Sequence, residues 1–589
     1  MLSIIAVFVQ SQIFLNFFLG TFYWGINRAM AFDDLLEQVG STSRFQILHV
    51  ALLSMPILMM ASHNLLQNFA ASVPQHHCSA HQNLSLVSLS PQEVLLLTVP
   101  LDQNNKIQKC QRYVVPQWQL MHQNGTSGDR MYDRSDAALQ GCEDGWQYDN
   151  TEMKSTIITE WDLVCEFRSL KQTGQTIYMG GVLIGAVIFG GLSDRFGRRF
   201  LLLISNLLMA VGGTCAAFSP SFLVFCIFRF ITGMALSGLV LNSFSLIVEW
   251  IPTRVRTVVG TTTGYFYTMG QLILALVAYY IRDWRWLMLA ISLPFYIFFL
   301  YSWWFLESAR WLVLNKKSEQ AVKNLKRVAR FNGRHEECEK INIEMMHNYM
   351  KKELSGSKSS YSVVDLLRTP NIRSITICLS AVWFSTSFAY YGLSMDLQKF
   401  GVDIYLIQVI FGAVDIPAKV VVTISMSFIG RRPSQCAALI LSGIAILCNI
   451  FVPYEKQTVR TALAVLGKGG LAASFNCCYL YAGELFPTVV RQSGMGWVSM
   501  MARVGAMVAP MVLLFGEAVP WLPGCIYGIA PIVSGVIALY LPETLGGGLP
   551  DTIQDVDDRS EKKTSPEDSL KKQELAMNDT TNVLLKEAV

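Results

Sequence analysis

Apolar windows about twenty residues long recur along this chain, and that recurrence limits its fold more than any other feature. A helix rises about 1.5 Å per residue, so a run of roughly this length crosses the hydrocarbon core of a bilayer. Lipid offers the backbone no hydrogen-bond partners, so such runs cross as helices. One set of windows lies near 45–69, 173–193, 200–219, 222–248, 258–280 and 286–306. A second set lies near 374–395, 403–428, 435–453, 459–482, 493–515 and 521–541. With 52% of residues hydrophobic and 15% charged, a water-soluble body could not cover its surface. The expected class is an all-α integral membrane protein, its partner the lipid bilayer. The net charge of +4 calls for no nucleic acid, because the charges gather at 70–172, at 307–373 and after 542.

Lys and Arg in the short connections set the orientation, since cytosolic loops carry the excess of them. Arg195, Arg198, Arg199, Arg254, Arg256, Arg431, Arg432 and Arg491 all follow even-numbered spans, and 307–373 is basic too. These segments are therefore expected in the cytosol and the 70–172 loop outside. That loop holds Cys78, Cys110, Cys142 and Cys165, an even number in an oxidising compartment, so two disulfides are expected with their pairing open. Asn83 and Asn124 head glycosylation sequons in the same loop. For 1–29 three readings compete: an extra span, a signal-like segment, or an extension upstream of Met30. The sequence from Met30 to Leu36 resembles a natural start, which favours the extension.

The chain also repeats itself. Gly197-Arg198-Arg199 recurs 233 residues later as Gly430-Arg431-Arg432. The turn from Glu249 through Pro252 to Arg256 recurs at an offset of 235 as Glu484, Pro487 and Arg491. Leu306-Glu307-Ser308 recurs at an offset of 236 as Pro542-Glu543-Thr544. Three landmarks at nearly one offset describe a duplicated six-span unit: a first bundle over 45–306, a cytosolic linker over 307–373, a second bundle over 374–541 and a cytosolic tail over 542–589. Parallel repeats of this kind enclose a central cavity near the bilayer midplane. The arginines at the cytosolic helix ends suit a charge latch with carboxylates, Asp194 and Glu249 with Arg198 and Arg256, and Glu484 with Arg491. Ser427 stands where Asp194 stands in the first copy, so the latch is expected to be asymmetric.

The stretch from Gly190 to Arg199 resembles the signature loop of the major facilitator superfamily. Arg229 with Gly233, the two Glu-x-x-Pro-x-x-x-Arg turns and Pro542-Glu543-Thr544 resemble its sugar-porter-like section. The four-cysteine loop, the segment from Ser155 to Cys165 and the segment from Ser387 to Leu393 resemble the organic anion transporters. The resemblance covers Met30 to about residue 550. It implies the major facilitator fold, small organic anion substrates, exchange against an intracellular dicarboxylate, and chloride as a further candidate partner. It also implies that Asn64, Tyr267, Trp383, Tyr390, Tyr391, Lys419, Phe475 and Arg503 line the substrate pocket.

An ionisable residue inside a span marks a pathway or a partner. Arg503 lies deep in the eleventh span with no acid within a turn, and its planar fork suits a carboxylate. Lys419 follows Asp415 by one turn, a spacing that makes either a helical ion pair or an acid orienting a substrate-binding lysine. Arg229 and Lys468 resemble structural positions. Phe475 and Tyr479 are four apart and share a helix face, and rings around one or two cations suit amphipathic aromatic carboxylates. Relatives usually carry Phe where Tyr479 stands, so its hydroxyl is a candidate for altered selectivity. Three rivals remain: an organic cation or zwitterion carrier, whose cation Arg503 would repel; a sugar facilitator, which wants amide and hydroxyl linings; and a receptor using the outer loop. The sequence holds no nucleophile–base pair, phosphate loop or metal-ligand spacing, so neither an enzyme nor a cofactor is expected.

Overall fold

The structure, a computed structural model, describes residues 32–556 apart from 41–42, 80–89, 102–105, 118–137, 357–365, 396, 454, 488–489, 517–518, 546–549, 551–552 and 555. The side chains at 32–34, 91–92, 253–258, 261, 350–356 and 492 also lie outside the description. Asn83, Asn124 and the segment 1–29 therefore fall outside the described residues, and so does the side chain of Arg256.

Twelve helices form where the apolar windows lie. The first six are α1 (Arg44–Leu65, continued by Gln67–Ala70), α2 (Ser169–Phe196), α3 (Arg198–Ala217), α4 (Phe222–Glu249), α5 (Thr253–Tyr280) and α6 (Trp284–Ser292 and Pro294–Ser302). The second six are α7 (Pro370–Ser394), α8 (Ile404–Phe428), α9 (Arg431–Phe451), α10 (Gln457–Leu485), α11 (Arg491–Phe515) and α12 (Leu522–Ala538). Ten of the described helices are long and apolar enough to cross a membrane; α12 is a shorter apolar helix. The remaining helix, α5, carries Thr262, Thr263, Thr268 and Gln271 along its length.

The duplication seen in the sequence is repeated in the packing. In the first half α1 packs on α5, α2 on α4, and α3 on α4 and α6; in the second, α7 packs on α11, α8 on α10, and α9 on α10 and α12. Between the halves α2 packs on α11 and α5 on α8, two seams that the same duplication relates. Glycines let the backbones meet: a Cβ on Gly181 would lie 2.3 Å from the Phe230 carbonyl oxygen, and one on Gly233 the same distance from that of Tyr178. Small residues are the usual means of close helix contact in lipid, where apolar side chains gain little by leaving the bilayer.

The connection between α1 and α2 forms a small domain on one face. Strand β1 (His76–Cys78) pairs antiparallel with β4 (Trp146–Tyr148), and β2 (Arg112–Tyr113) with β3 (Leu139–Gln140). Disulfides join Cys78 to Cys142 and Cys110 to Cys165, which settles the open pairing. Glu160 fastens the domain to α6 through an ion pair with Arg285 and by accepting from Trp284 Nε1 at 2.7 Å.

The linker on the opposite face is folded. Its helices include Ser318–Phe331, His335–Lys340 and Ile343–Gly356. Ala321, Leu325, Val328 and Ala329 form the apolar stripe of the first, and they share one core with Leu35, Leu36, Val39, Trp250 and Phe305. Asn332 donates to the Val39 carbonyl at 3.0 Å and to Gln46 Oε1 at 3.1 Å, and accepts from the Phe45 amide at 3.0 Å. The linker helices are thus built onto the first half.

Candidate functional site between the halves

The duplicated Gly-Arg-Arg corners are helix starts capped by a carboxylate from the end of the same half. Glu307 accepts from the amides of Arg198 and Arg199 at 3.2 and 3.1 Å. Glu543 accepts from those of Arg431 and Arg432 at 2.9 Å each. Gly197 and Gly430 have φ of +97° and +114°, and a Cβ on either would press on its glutamate at 2.4 and 2.7 Å. Both facts call for glycine. Burial pushes the Glu307 carboxyl up from its ordinary range. At Glu543 burial acts upward as well, but four backbone amides hold the carboxyl below that range. The repeated glutamates were visible in the sequence; their capping role was not, because it joins segments about a hundred residues apart.

The predicted latch residues come together in part. Arg198 pairs with Asp194 at 3.0 Å and with Glu249 at 3.4 Å, and Arg431 pairs with Glu484 at 3.0 Å. Arg491 does not meet Glu484 in the described bonds; its Nε donates to the Phe486 carbonyl at 3.1 Å. Ser427 donates to the Thr423 carbonyl. Every one of these links stays inside one half, so at this face they stiffen each bundle. At the face bearing the loop domain the halves do touch. Asn68 donates to the Ser394 carbonyl at 2.9 Å, the Val73 amide to Gln398 Oε1 at 3.0 Å, and Tyr405 to the Glu152 carbonyl at 2.9 Å.

Between these levels lie the predicted pocket residues. Trp383, Tyr390 and Tyr391 come from α7, Tyr267 from α5, Phe475 and Tyr479 from α10, Asn64 from α1 and Arg503 from α11. Tyr479 stands edge-on to Trp383 with centroids 4.3 Å apart, and Tyr390 meets Phe475 at 5.3 Å and Tyr391 at 5.5 Å. Tyr479 is 51% exposed, although Trp383 behind it is fully buried. Arg503 lies close enough for its charge to act on both Tyr391 and Tyr479. Its Nη1 donates to Ser499 Oγ at 2.9 Å and to the Ser499 carbonyl at 3.4 Å, and no carboxylate pairs with it among the described residues. Asn64 Oδ1 accepts from Tyr178 at 2.8 Å. The Tyr267 hydroxyl is buried beside Asn64 and Tyr391 without a hydrogen bond of ordinary geometry. The arrangement is a cluster of rings beside one guanidinium that no carboxylate pairs with among the described residues, suited to an amphipathic carboxylate.

The pairing of Asp415 with Lys419 is corrected. Asp415 is buried and bonds Lys468 on α10 at 3.0 Å, Gln271 Nε2 on α5 at 3.0 Å and the Tyr390 hydroxyl at 3.2 Å. Its carboxylate is satisfied from three other helices, and its hydrogen bonds go to them rather than back along its own helix. Lys419 reaches across the seam instead, donating to the Gly264 carbonyl at 2.8 Å and to Thr268 Oγ1 at 2.9 Å. Gly264, Thr268 and Gln271 follow a spacing of four and three, one face of α5, and that polar stripe was the missed signal. Arg229 is buried under the first half's helices, donating to the His63 carbonyl at 3.3 Å and lying 3.9 Å over the Tyr178 ring; it has a structural place, as has Lys468. A shallow cleft of about 650 Å³ by Lys154, Arg282 and Trp286 opens at the loop face, away from these groups.

Two duplicated six-helix bundles with a buried cation and a cluster of rings where they meet define a transporter of the major facilitator superfamily. The family model described as "Sugar (and other) transporter" matches residues 148–552. "Solute carrier family 22 member 6" of Danio rerio is 71% identical over 562 residues, 95% of this chain and 100% of that protein. The protein of that name from Pseudopleuronectes americanus is 68% identical, covering 95% and 100%, and that from Rattus norvegicus is 49% identical, covering 91% and 96%. Among solved structures, the partially occluded inward open xylose transporter XylE from E. coli matches with a TM-score of 0.56 at 15% identity, covering 85% of this chain and 99% of that one. That likeness is one of fold. The chain belongs to solute carrier family 22, in the organic anion transporter branch of the major facilitator superfamily. It is a multi-pass plasma-membrane transporter and not an enzyme.

Proposed function

We propose that this transporter carries small amphipathic organic anions by alternating access, in exchange for an intracellular dicarboxylate. The observation that carries the reading is Arg503, a guanidinium deep in α11 whose described bonds go to Ser499 and to no acid. A charge at that depth is expensive to leave unmatched, and a substrate carboxylate matches it. Tyr267, Tyr390, Tyr391, Phe475, Trp383 and Asn64 form the walls, Lys419 is a second cation at the seam, and the Tyr479 hydroxyl tunes selectivity. Chloride is a small competitor for the same cations. The loop domain faces outward, as its disulfides favour, and the basic linker faces the cytosol. With the halves joined at the loop face, this arrangement reads as the form closed to the outside.

Exchange fits a carrier whose mid-membrane acid, Asp415, is already paired with Lys468 and so is a poor proton carrier. Radiolabelled uptake of p-aminohippurate, estrone sulfate, urate and a quaternary cation, with and without 2-oxoglutarate preloading, tests the reading. Anions should enter, faster after preloading, and the cation should not. Uptake of the cation alone overturns the substrate class. Uptake that ignores preloading but follows an imposed proton gradient overturns exchange.

A further inference from the structure

We infer that Thr268, with the Gly264 carbonyl, is a positioning residue that holds Lys419 in the empty carrier and ties the two halves together until an anion takes the ammonium. The ligand in this inference rests on the anion reading above; the tie does not. Lys419 belongs to α8 and both of its acceptors to α5, the helices that form one of the two seams between the halves. Both acceptors are neutral, so two of the three ammonium protons are satisfied, the Tyr265 ring lies 5.7 Å away, and no carboxylate bonds the ammonium among the described residues. The Thr268 hydroxyl donates its own proton toward the Gly264 carbonyl at 3.3 Å, which turns a lone pair toward Lys419.

A carboxylate makes shorter and stronger bonds to an ammonium than a hydroxyl or a carbonyl does. An anion arriving beside α8 therefore wins Lys419 from α5 and removes one link across the seam. The neighbouring link, Gln271 to Asp415 and Tyr390, stays, because Asp415 is held within the second half by Lys468. Only the first link answers to the substrate. A ligand shifts a conformational balance only by its differential affinity for the two forms, and here the differential is the freed tie. The empty carrier keeps both links and turns slowly; the loaded carrier keeps one and turns faster. That asymmetry is what makes a carrier an exchanger.

Thr268→Val keeps the shape and removes the acceptor, while Thr268→Ser keeps the hydroxyl. In the full-length protein without added anion, amide hydrogen exchange along α5 near Thr268 should be faster in T268V than in wild type and unchanged in T268S. At equal surface expression T268V should lower KM for p-aminohippurate by about fivefold, the order expected from one competing hydrogen bond. It should also shrink the acceleration by 2-oxoglutarate preloading, and T268S should behave as wild type. A merely structural role would raise KM or lower the maximal rate. Equal amide exchange in T268V and wild type overturns the tie, whatever the substrate. Faster amide exchange with an unchanged KM overturns the competition. A wild type that takes up no anion overturns the anion reading alone, leaving the tie to be decided by the anion-free measurement.

Discussion

Lys468 and Asp415 show how a buried charge chooses its partner. Each is about 1% exposed, and taking two charges from water costs more than their attraction returns unless further bonds complete them. Gln271 and Tyr390 do so here, and the Tyr390 ring lies 4.0 Å from the Lys468 ammonium. Removing one partner leaves an orphan, so Lys468→Ala should destabilise the protein by about 3–5 kcal/mol and lower surface expression. Lys468→Met with Asp415→Asn should recover much of both. Lys419→Ala should leave thermal stability nearly intact, because it frees only neutral acceptors. Melting temperatures of the purified variants decide this, and a Lys419→Ala loss equal to that of Lys468→Ala would refute the assignment. Spacing along one helix made Lys419 the nearer candidate for Asp415; the true partner lies 53 residues away on another helix, where no spacing rule reaches.

Among the elements, the twelve bundle helices were legible in the sequence almost to their ends, because apolar length is what lipid demands of a crossing helix, and ten of them meet that demand in full. The linker was less so. Ala321, Leu325, Val328 and Ala329 spell a helical stripe, yet the segment reads as polar when only membrane crossing is sought. The corners at Gly197 and Gly430 were legible as repeats but not as capped helix starts. A carboxylate at a helix N-terminus satisfies orphan amides and the positive end of the dipole. Glu307→Ala and Glu543→Ala should therefore each cost about 1–2 kcal/mol, seen as lowered melting temperatures of similar size in the two halves. A normal melting temperature in either variant would show that the repeated glutamate is not a cap there.

At the scale of the whole molecule, two halves meet along two equivalent seams, and the groups proposed to choose the cargo stand between them. The duplication and the candidate cations could be read from the sequence, since motif offsets and charges inside spans need no coordinates. Which cations remain free of acids could not, because freedom is a property of the assembled cavity. Arg503 is the one on which the account turns. The most direct measurement is saturable p-aminohippurate uptake by Arg503→Ala and Arg503→Lys, each compared with wild type at matched surface level. Losing a charge-assisted bond worth about 1.5–3 kcal/mol should cut the maximal rate over KM by roughly 10- to 100-fold in the alanine variant. Lysine should rescue only part of it, having no bidentate fork. Wild-type uptake by Arg503→Ala at that level would contradict the account.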